Sequence, residues 1–312
     1  MIAYHAIAGV SGGRTSAMMA YGLPESVLCF QNTGREARKT YDFIARLEQD
    51  LGRPIVRLEF RAPARGEPPV QATFEIVEHE HLSRRGEPFI DLLECIRTYR
   101  AEHKSLGPVA PWARSRICTA YLKIRTQRKF CASLGWGHQR DYTEYTGLRF
   151  DEPERVAKMR ERNDRLDTDE RAPLYEAGVT KDDVLRFWAT KPFDLEVPEH
   201  MGNCTGCFLK DERDLATALM EEETDAPWWI DIEEKYAPMR RGRPSYRQVL
   251  AEAPERLKIR EAIARGEAYT VDLPKRRVRL IVAQELAARA PFSCECDAAK
   301  ADDFDVQLEL SF

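Results

Sequence analysis

The sequence predicts an α/β protein with a doubly wound parallel sheet, followed by a mostly helical C-terminal region that carries cysteines. Three observations favour this fold class. Short apolar segments alternate with helix-like segments in the first part of the chain, and glycine- and proline-bearing turns separate them. After Cys207 the pattern becomes helical and charged. We therefore expect two regions, residues 1–200 and 201–312.

The strands are predicted from short apolar runs that end at turn-forming residues. The first run ends at Val10, and a Gly-Gly turn leads from it into the helix-like stretch "SAMMAYG", which Gly22 closes. Because helix-like segments separate the runs, the strands should lie parallel, with helices on both faces of the sheet. The predicted strands are 4–10, 26–32, 54–60 and 144–150.

Two further helices have clear sequence signals. The segment 37–52 places its apolar residues on one face and ends at Gly52. A capping box, Thr180 and Asp183, precedes the apolar residues of a later helix. The proline- and glycine-bearing segment 61–70 should be a loop, and the acidic tail from about Ser293 should be mobile.

Composition favours a cytoplasmic protein that does not bind membranes. Of 312 residues, 43% are hydrophobic and 32% are charged, and the formal net charge is −4. The sequence has no apolar run near the roughly 20 residues of a membrane helix, and its start lacks a basic segment of the secretory type. In a reducing compartment the eight cysteines should not form disulfides.

The stretch "SGGRTS", from Ser11 to Ser16, joins the first strand to the first helix. A strand, a glycine turn and a helix suit phosphate, because backbone N–H groups and the positive helix N-terminus attract anions. The alternative is a turn that needs glycine only for its backbone conformation. The spacing matches neither a Walker A loop nor the dinucleotide-binding fingerprint.

Together with this stretch, five later motifs resemble those of the phosphoadenosine phosphosulfate (PAPS) reductase-like family. That family belongs to the PP-loop ATP pyrophosphatases, or adenine nucleotide alpha hydrolases, and the similarity is to the type common in phages and mobile elements. One departure is Thr15, which stands where the usual PP-loop has Asp. The later motifs, in order, are "NTGRE", "RICTAYLKI", "GLRFDEPER", "APLYEAGVTKDDVLRFW" and "GNCTGCFLK".

The resemblance implies a Rossmann-like PP-loop domain over residues 1–200 that binds ATP or an adenylyl sulfate nucleotide, with Mg²⁺ as a candidate ion. Arg14 would stabilise charge on a leaving pyrophosphate. The residues implied for catalysis are Arg14, Arg149, Glu152 and Arg155. Those implied for nucleotide binding are Ser11, Gly12, Gly13, Arg14, Thr15, Ser16, Asn32, Thr33, Gly34 and Gly147.

Cys204 and Cys207 form a CxxC between two glycines, a spacing at which two thiolates can hold one metal centre. Half of a zinc site, a redox dithiol, two cluster ligands and a pair of buried structural thiols all fit this pair alone. Cys118 lies in a run from Trp112 to Phe130 with six basic residues and no acidic one, which favours a thiolate or an anionic cluster.

In the cluster-bearing members of the resembled family, cysteines at these two places bind a [4Fe–4S] cluster. We therefore predict such a cluster at Cys118, Cys204 and Cys207, with zinc as the alternative metal. The fourth ligand would be Cys294 or Cys296. Without a fourth cysteine, one iron of the cluster would have no protein ligand, as in cluster-bearing tRNA thiolases. The remaining cysteines, Cys29, Cys95 and Cys131, are predicted to be core or incidental residues.

Two basic segments, 239–247 and 274–279, stand out in an acidic protein. Each segment alone fits solvated surface charge slightly better than a binding site. Together with the basic run around Cys118, they indicate a polyanionic partner such as tRNA or DNA. Trp228 and Trp229 are predicted to be core residues, with a base-stacking platform as the alternative.

Three functions remain open. The favoured one is an enzyme that adenylates a nucleic-acid base or backbone group for sulfur transfer, with a cysteine desulfurase as partner. The second is a reductase of adenylyl sulfate or PAPS, in which a tail cysteine attacks the sulfonate and a thioredoxin-like protein releases sulfite. The 86 residues between Cys207 and Cys294 disfavour it. The third is a non-catalytic nucleotide-binding subunit of a modification or defence complex, which Thr15 keeps open.

Overall fold

A computed structural model describes residues 5–104, 107 and 109–287. The described residues form two compact units: 5–104, 107 and 115–197 in the first, and 109–114 with 198–287 in the second. Within these ranges no helix is long and apolar enough to cross a membrane. Cys294, Cys296 and the acidic tail lie outside the described residues.

The first unit contains a six-stranded sheet. The strand order is β4-β3-β2-β1-β5-β6, and all neighbours are parallel except β3 and β4. β2, β3 and β4 follow one another on one side of β1, and β5 and β6 lie on the other side. The direction in which strands are added therefore reverses between β1 and β5. Loops that follow strands at such a point leave a crevice. The strands are β1 (Ala6–Gly9), β2 (Val27–Asn32), β3 (Ile55–Arg61), β4 (Thr73–Ile76), β5 (Thr143–Tyr145) and β6 (Asp169–Arg171).

Helices cover both faces of this sheet, as predicted for a doubly wound fold. Alternate residues of β2 enter different cores: Phe30 belongs to the same buried cluster as Trp188, whereas Cys29 belongs to the cluster that contains Phe130. The α-helices are α1 (Arg14–Tyr21), α2 (Arg38–Leu51), α3 (Glu87–His103), α4 (Thr126–Ser133), α5 (Pro153–Leu166), α6 (Pro173–Glu176) and α7 (Lys181–Ala189), and a π-helix (Cys118–Arg125) precedes α4.

Several sequence signals are confirmed. Gly22 and Gly52 terminate α1 and α2, and Gly52 has the left-handed conformation with φ of 64°. The capping box at α7 is present, since the Thr180 amide donates to Asp183 Oδ2 at 2.9 Å. Cys29 and Cys131 are both 0% exposed and are core residues, as predicted.

The predicted strand 144–150 is only partly correct. β5 ends at Tyr145, and the chain then turns, with the Leu148 amide donating to the Thr146 carbonyl at 2.8 Å. The sheet is also mostly rather than wholly parallel, because the unpredicted strand β4 runs antiparallel to β3. β4 (TFEI) is short and alternates polar with apolar residues, and β6 (DER) is wholly polar. Neither therefore contains the continuous apolar run on which the strand predictions relied.

The second unit contains four α-helices after the CxxC segment, which agrees with the predicted helical pattern. Trp229 is 1% exposed and stacks on Tyr246, which confirms it as a core residue. Arg277 of the basic segment 274–279 pairs with Glu212 and Glu252 and is therefore not a free surface charge. The helices are α8 (Glu212–Met220), α9 (Ala226–Tyr236), α10 (Tyr246–Arg265) and α11 (Lys275–Ala287).

Candidate functional site

The loops after β1 and β5 lie against each other at the carboxyl edge of the sheet, where the strand order reverses. A Cβ added to Gly147 would lie 2.9 Å from Ser16 Cα and 3.1 Å from Ser16 N. The absence of a side chain at Gly147 therefore allows the β5 loop to contact the first turn of α1. A hydrogen bond of 3.3 Å from Arg149 Nη1 to Thr15 Oγ1 also joins the two loops.

The Ser16 hydroxyl holds the Ser11–Ser16 loop together through two hydrogen bonds to its backbone. Ser16 Oγ accepts from the Ser11 amide at 3.0 Å and donates to the Gly13 carbonyl at 3.1 Å. Gly12 has φ of +81°, and a Cβ there would collide with Thr40 Cγ2, so the fold itself requires glycine. Gly13 is extended, and its added Cβ would have Ser11 Oγ at 3.7 Å as its nearest contact. The fold does not require Gly13.

The N-terminus of α1 is available to an anion. Within the described residues, no side chain caps the helix at Gly13. The first amides of an α-helix have no intrahelical acceptor, and the helix dipole makes this end positive. The amides of Arg14, Thr15 and Ser16 therefore lie beside the Gly147 loop as potential donors to phosphate oxygens.

Arg14 has a different partner from the one that the sequence indicated. Its Nε donates to Asp194 Oδ1 at 2.6 Å and its Nη2 to Asp194 Oδ2 at 2.9 Å. Nη2 also donates to the Leu195 carbonyl at 2.5 Å, and Trp188 Nε1 donates to the Arg14 carbonyl at 2.9 Å. This forked pairing ties α1 to the segment after α7. In this structure Arg14 therefore anchors α1, and its predicted contact with a leaving pyrophosphate stays a prediction.

Asn32 is also structural. Its side-chain amide donates to Glu59 Oε1 at 2.7 Å and to the Ser83 carbonyl at 2.8 Å. Its carbonyl oxygen accepts from the Gly34 amide and from the Tyr41 hydroxyl, both at 3.0 Å. These four bonds use the whole hydrogen-bonding capacity of the Asn32 side chain, which is 0% exposed. In this structure the Asn32 side chain therefore has a structural role, and its nucleotide contact stays a prediction.

Thr33 and Gly34 shape the same turn. The Thr33 hydroxyl donates to Glu36 Oε1 at 2.8 Å, and Thr33 is buried. Gly34 has φ of +78°, and a Cβ there would lie 2.9 Å from the Gly86 amide nitrogen. The "NTG" motif therefore has a structural explanation in close backbone packing.

Glu152 organises the cations of the β5 loop. It is buried, and it accepts from the Arg149 amide at 3.0 Å and pairs with Arg155 Nη1. Arg149 also pairs with Asp151 at 2.9 Å, and its side chain remains 18% exposed. Of the predicted catalytic residues, Arg149 is thus placed beside the helix N-terminus, and Glu152 holds its loop.

The predicted metal ligands fall in both units. Cys118 begins the π-helix in the first unit, and π-helical segments are frequent at functional sites. Cys204 and Cys207 lie in the second unit, on a turn closed by a bond of 3.1 Å from the Cys207 amide to the Cys204 carbonyl. Among the described residues, no three His, Cys, Asp or Glu side chains are grouped to hold a metal ion. The Cys204 and Cys207 thiols alone would supply two of the four ligands of a metal centre. The [4Fe–4S] cluster therefore stays a prediction.

Buried groups hold the CxxC segment in place. Arg240, 3% exposed, donates to the carbonyls of Phe208 and Lys210, each at 3.2 Å. The Tyr246 hydroxyl donates to the Gly206 carbonyl at 2.7 Å, and Gly206 lies so close to the Trp229 indole that a Cβ there would collide with it. Sequence reasoning did not link these residues to the CxxC segment, because they follow it by more than 20 positions with no fixed spacing.

Comparison with known proteins gives one sequence similarity. The chain is 28% identical to the uncharacterized nin region protein ORF290 of Escherichia phage lambda over 232 residues, which is 70% of each chain. No protein-family model and no solved structure matches the chain. The similarity therefore extends over most of both proteins and brings no activity with it.

Proposed function

We propose that this protein is a nucleotide-dependent enzyme of the PP-loop ATP pyrophosphatase type, which adenylates an acceptor for sulfur transfer. One observation carries the proposal. The uncapped N-terminus of α1 lies against the Gly147 loop at the point where the strand order reverses. Helix amides and the Arg149 cation would then meet a polyphosphate from two sides.

The proposed chemistry has two steps. An acceptor oxygen attacks the α-phosphorus of ATP, and the bond from that phosphorus to pyrophosphate breaks. A sulfur nucleophile then bonds to the acceptor atom, and AMP leaves with the oxygen. The amides of Thr15 and Ser16 would bind phosphate oxygens, and Arg149 would balance the charge that develops there. Arg155 and Glu152 would orient Arg149, and Mg²⁺ is the candidate ion.

The proposal includes a nucleic-acid acceptor, a base or a backbone group, and a sulfur supply by a cysteine desulfurase. It also includes a [4Fe–4S] cluster at Cys118, Cys204 and Cys207, for which the basic run around Cys118 would provide compensating charge. Such a cluster supplies redox and sulfur-binding chemistry when bound.

Gly13→Ala tests the nucleotide site directly. Because the fold does not require glycine there, the variant should lose about 1 kcal/mol of stability or less. A Cβ at this position would obstruct a phosphate, so ATP affinity measured by calorimetry should fall at least tenfold. Gly137→Ala is the matched control, since an added Cβ there has nothing within 4 Å. Unchanged ATP affinity in Gly13→Ala would contradict the proposal.

Product analysis separates the enzyme classes. The protein is incubated with ATP, sulfide and a single-stranded nucleic acid, and separately with adenylyl sulfate and a thiol reductant. AMP with pyrophosphate in the first reaction supports the proposal. Sulfite in the second supports the reductase instead, and ATP binding with neither product supports a non-catalytic subunit.

A further inference from the structure

We propose that the second unit has a docking surface for single-stranded nucleic acid, formed by Trp112, Arg114, Arg241 and Arg243. The inference rests on the proposed function, because it locates the contact with the proposed class of acceptor. Two segments far apart in sequence, 109–114 and 239–244, form this surface.

A stacked pair lies at its centre. The Arg241 guanidinium is 4.5 Å from the centroid of the Trp112 ring. Trp112 is half-buried and Arg241 is exposed, so part of the pair faces solvent. Aromatic rings and guanidinium planes are the groups on which proteins stack unpaired bases.

The surrounding charge is not neutralised locally. Arg114, Arg241 and Arg243 are exposed, and none forms an ion pair with Asp or Glu within the part of the chain that the structure describes. Arg247, by contrast, pairs with Glu234 at 2.7 Å. The segments 109–114 and 237–247 contain no acidic residue, although the whole chain has a net charge of −4. Phosphates complement this surface.

One turn connects the surface to the CxxC segment. The Arg243 amide donates to the Arg240 carbonyl at 2.8 Å, and Gly242 adopts φ of +75°. Arg241 and Arg243 are exposed on this turn, whereas the buried Arg240 side chain bonds to the carbonyls of Phe208 and Lys210. A strand bound to the outer arginines would therefore lie near Cys204 and Cys207.

Stacking favours a single strand over the other polyanions. A duplex keeps its bases paired and stacked, so it offers only phosphates to the arginines, and an acidic peptide offers only carboxylates. A single strand uses both the charge and the Trp112–Arg241 plane. The contribution of Trp112 to binding therefore identifies the occupant.

Fluorescence anisotropy without ATP tests the surface, with labelled single-stranded DNA and RNA of about 20 nucleotides and a matched duplex. Arg241→Gln and Arg243→Gln should each weaken single-strand binding several-fold. Each should also reduce the slope of log affinity against log salt concentration by about 0.7 to 1. Trp112→Leu should weaken binding about fivefold or more with the salt slope unchanged, because stacking releases no counterions.

Arg265→Gln is the control, because it removes the same charge from an exposed residue of the same unit. Trp112→Phe keeps a ring and should bind well, which separates stacking from loss of folding, checked by thermal melting. The inference fails if the wild type binds no strand at about 50 mM salt, if Arg265→Gln loses as much affinity as Arg241→Gln, or if the duplex binds equally well and Trp112→Leu has no effect. ATP affinity of all these variants should be unchanged, so either proposal can fail alone.

Discussion

Asp194 holds the guanidinium of Arg14 by two hydrogen bonds of 2.6 and 2.9 Å at the first turn of α1. A carboxylate near a helix N-terminus occupies the same kind of electrostatic site as a phosphate does. The pair therefore anchors α1, and we expect the negative charge of Asp194 to disfavour an anionic ligand at this site.

We expect Asp194→Asn to bind ATP about two- to fivefold more tightly, because one negative charge near the amides is lost. Its stability should fall by about 1 kcal/mol or less, since the side chains are 31% and 40% exposed. Calorimetric titration and thermal melting measure the two effects. Asp167→Asn, which breaks a surface pair with Arg140, should change neither. Weaker ATP binding in Asp194→Asn would mean that the pair positions Arg14 for the phosphates.

Arg149 is the predicted catalytic residue that the geometry supports best. Arg149→Ala should lower the rate of AMP formation at least tenfold, because a cation beside the α1 amides is lost. The stability loss should be about 1 kcal/mol or less, since its ion pair with Asp151 is partly exposed. Arg171→Ala is the control, as Arg171 likewise pairs with a carboxylate two residues away. Unfolding of Arg149→Ala with normal activity per folded molecule would show a structural role.

The sequence was sufficient for the framework of the site. Apolar runs and glycine stops located β1, α1, β2, α2 and β3, because each buries a regular face in the core. It also marked Gly147, and the structure supplies the reason, which is contact with the Ser16 backbone. β6 could not be found this way, because "DER" contains no apolar residue.

Individual roles were harder to predict because they depend on distant partners. Arg14 and Asp194 are 180 residues apart, and no local pattern links them. Asn32 is polar and follows a strand, as a ligand-binding residue does, yet Glu59 and Tyr41 use its side chain inside the protein. Gly12 and Gly13 cannot be told apart from the sequence. In the structure, the positive φ of Gly12 and its contact with Thr40 show that only Gly12 must be glycine for the fold.

Stability should depend on pH through Glu144 of β5. Loss of hydration raises the pKa of Glu144 to about 7, with a further contribution from the neighbouring Glu170, while Arg128, Gln127 and Arg162 oppose the rise. The folded state therefore binds a proton that the unfolded state has already released, so the free energy of unfolding decreases as pH rises from about 4.5 to about 7.

We expect Glu144→Gln to remove this decrease, which is on the order of 1–3 kcal/mol. Gln keeps the shape and can still accept from Gln127 Nε2, the donor that lies 2.7 Å from Glu144 Oε1. Urea unfolding at pH 5 and pH 7 measures the difference for both proteins. Glu75→Gln, on the exposed strand β4, is the control and should keep the wild-type dependence. The same pH dependence in Glu144→Gln and in the wild type would rule out Glu144 as its source.

The predicted metal centre can be tested on protein purified without oxygen, which should be brown and contain iron and acid-labile sulfide. Cys204→Ser and Cys118→Ser should each lose most of the iron, because each removes one of three thiolate ligands. Cys95→Ser is the control, since this partly buried thiol lies on α3 outside the predicted set, and it should keep full iron content.

The buried Arg240 beside the CxxC segment would offset the charge of a thiolate centre, so Arg240→Met should lower the reduction potential of the bound cluster. If the protein is colourless and contains one zinc per chain, the centre is a zinc site and not a cluster. If the protein contains no metal and binds ATP normally, Cys204 and Cys207 are structural thiols.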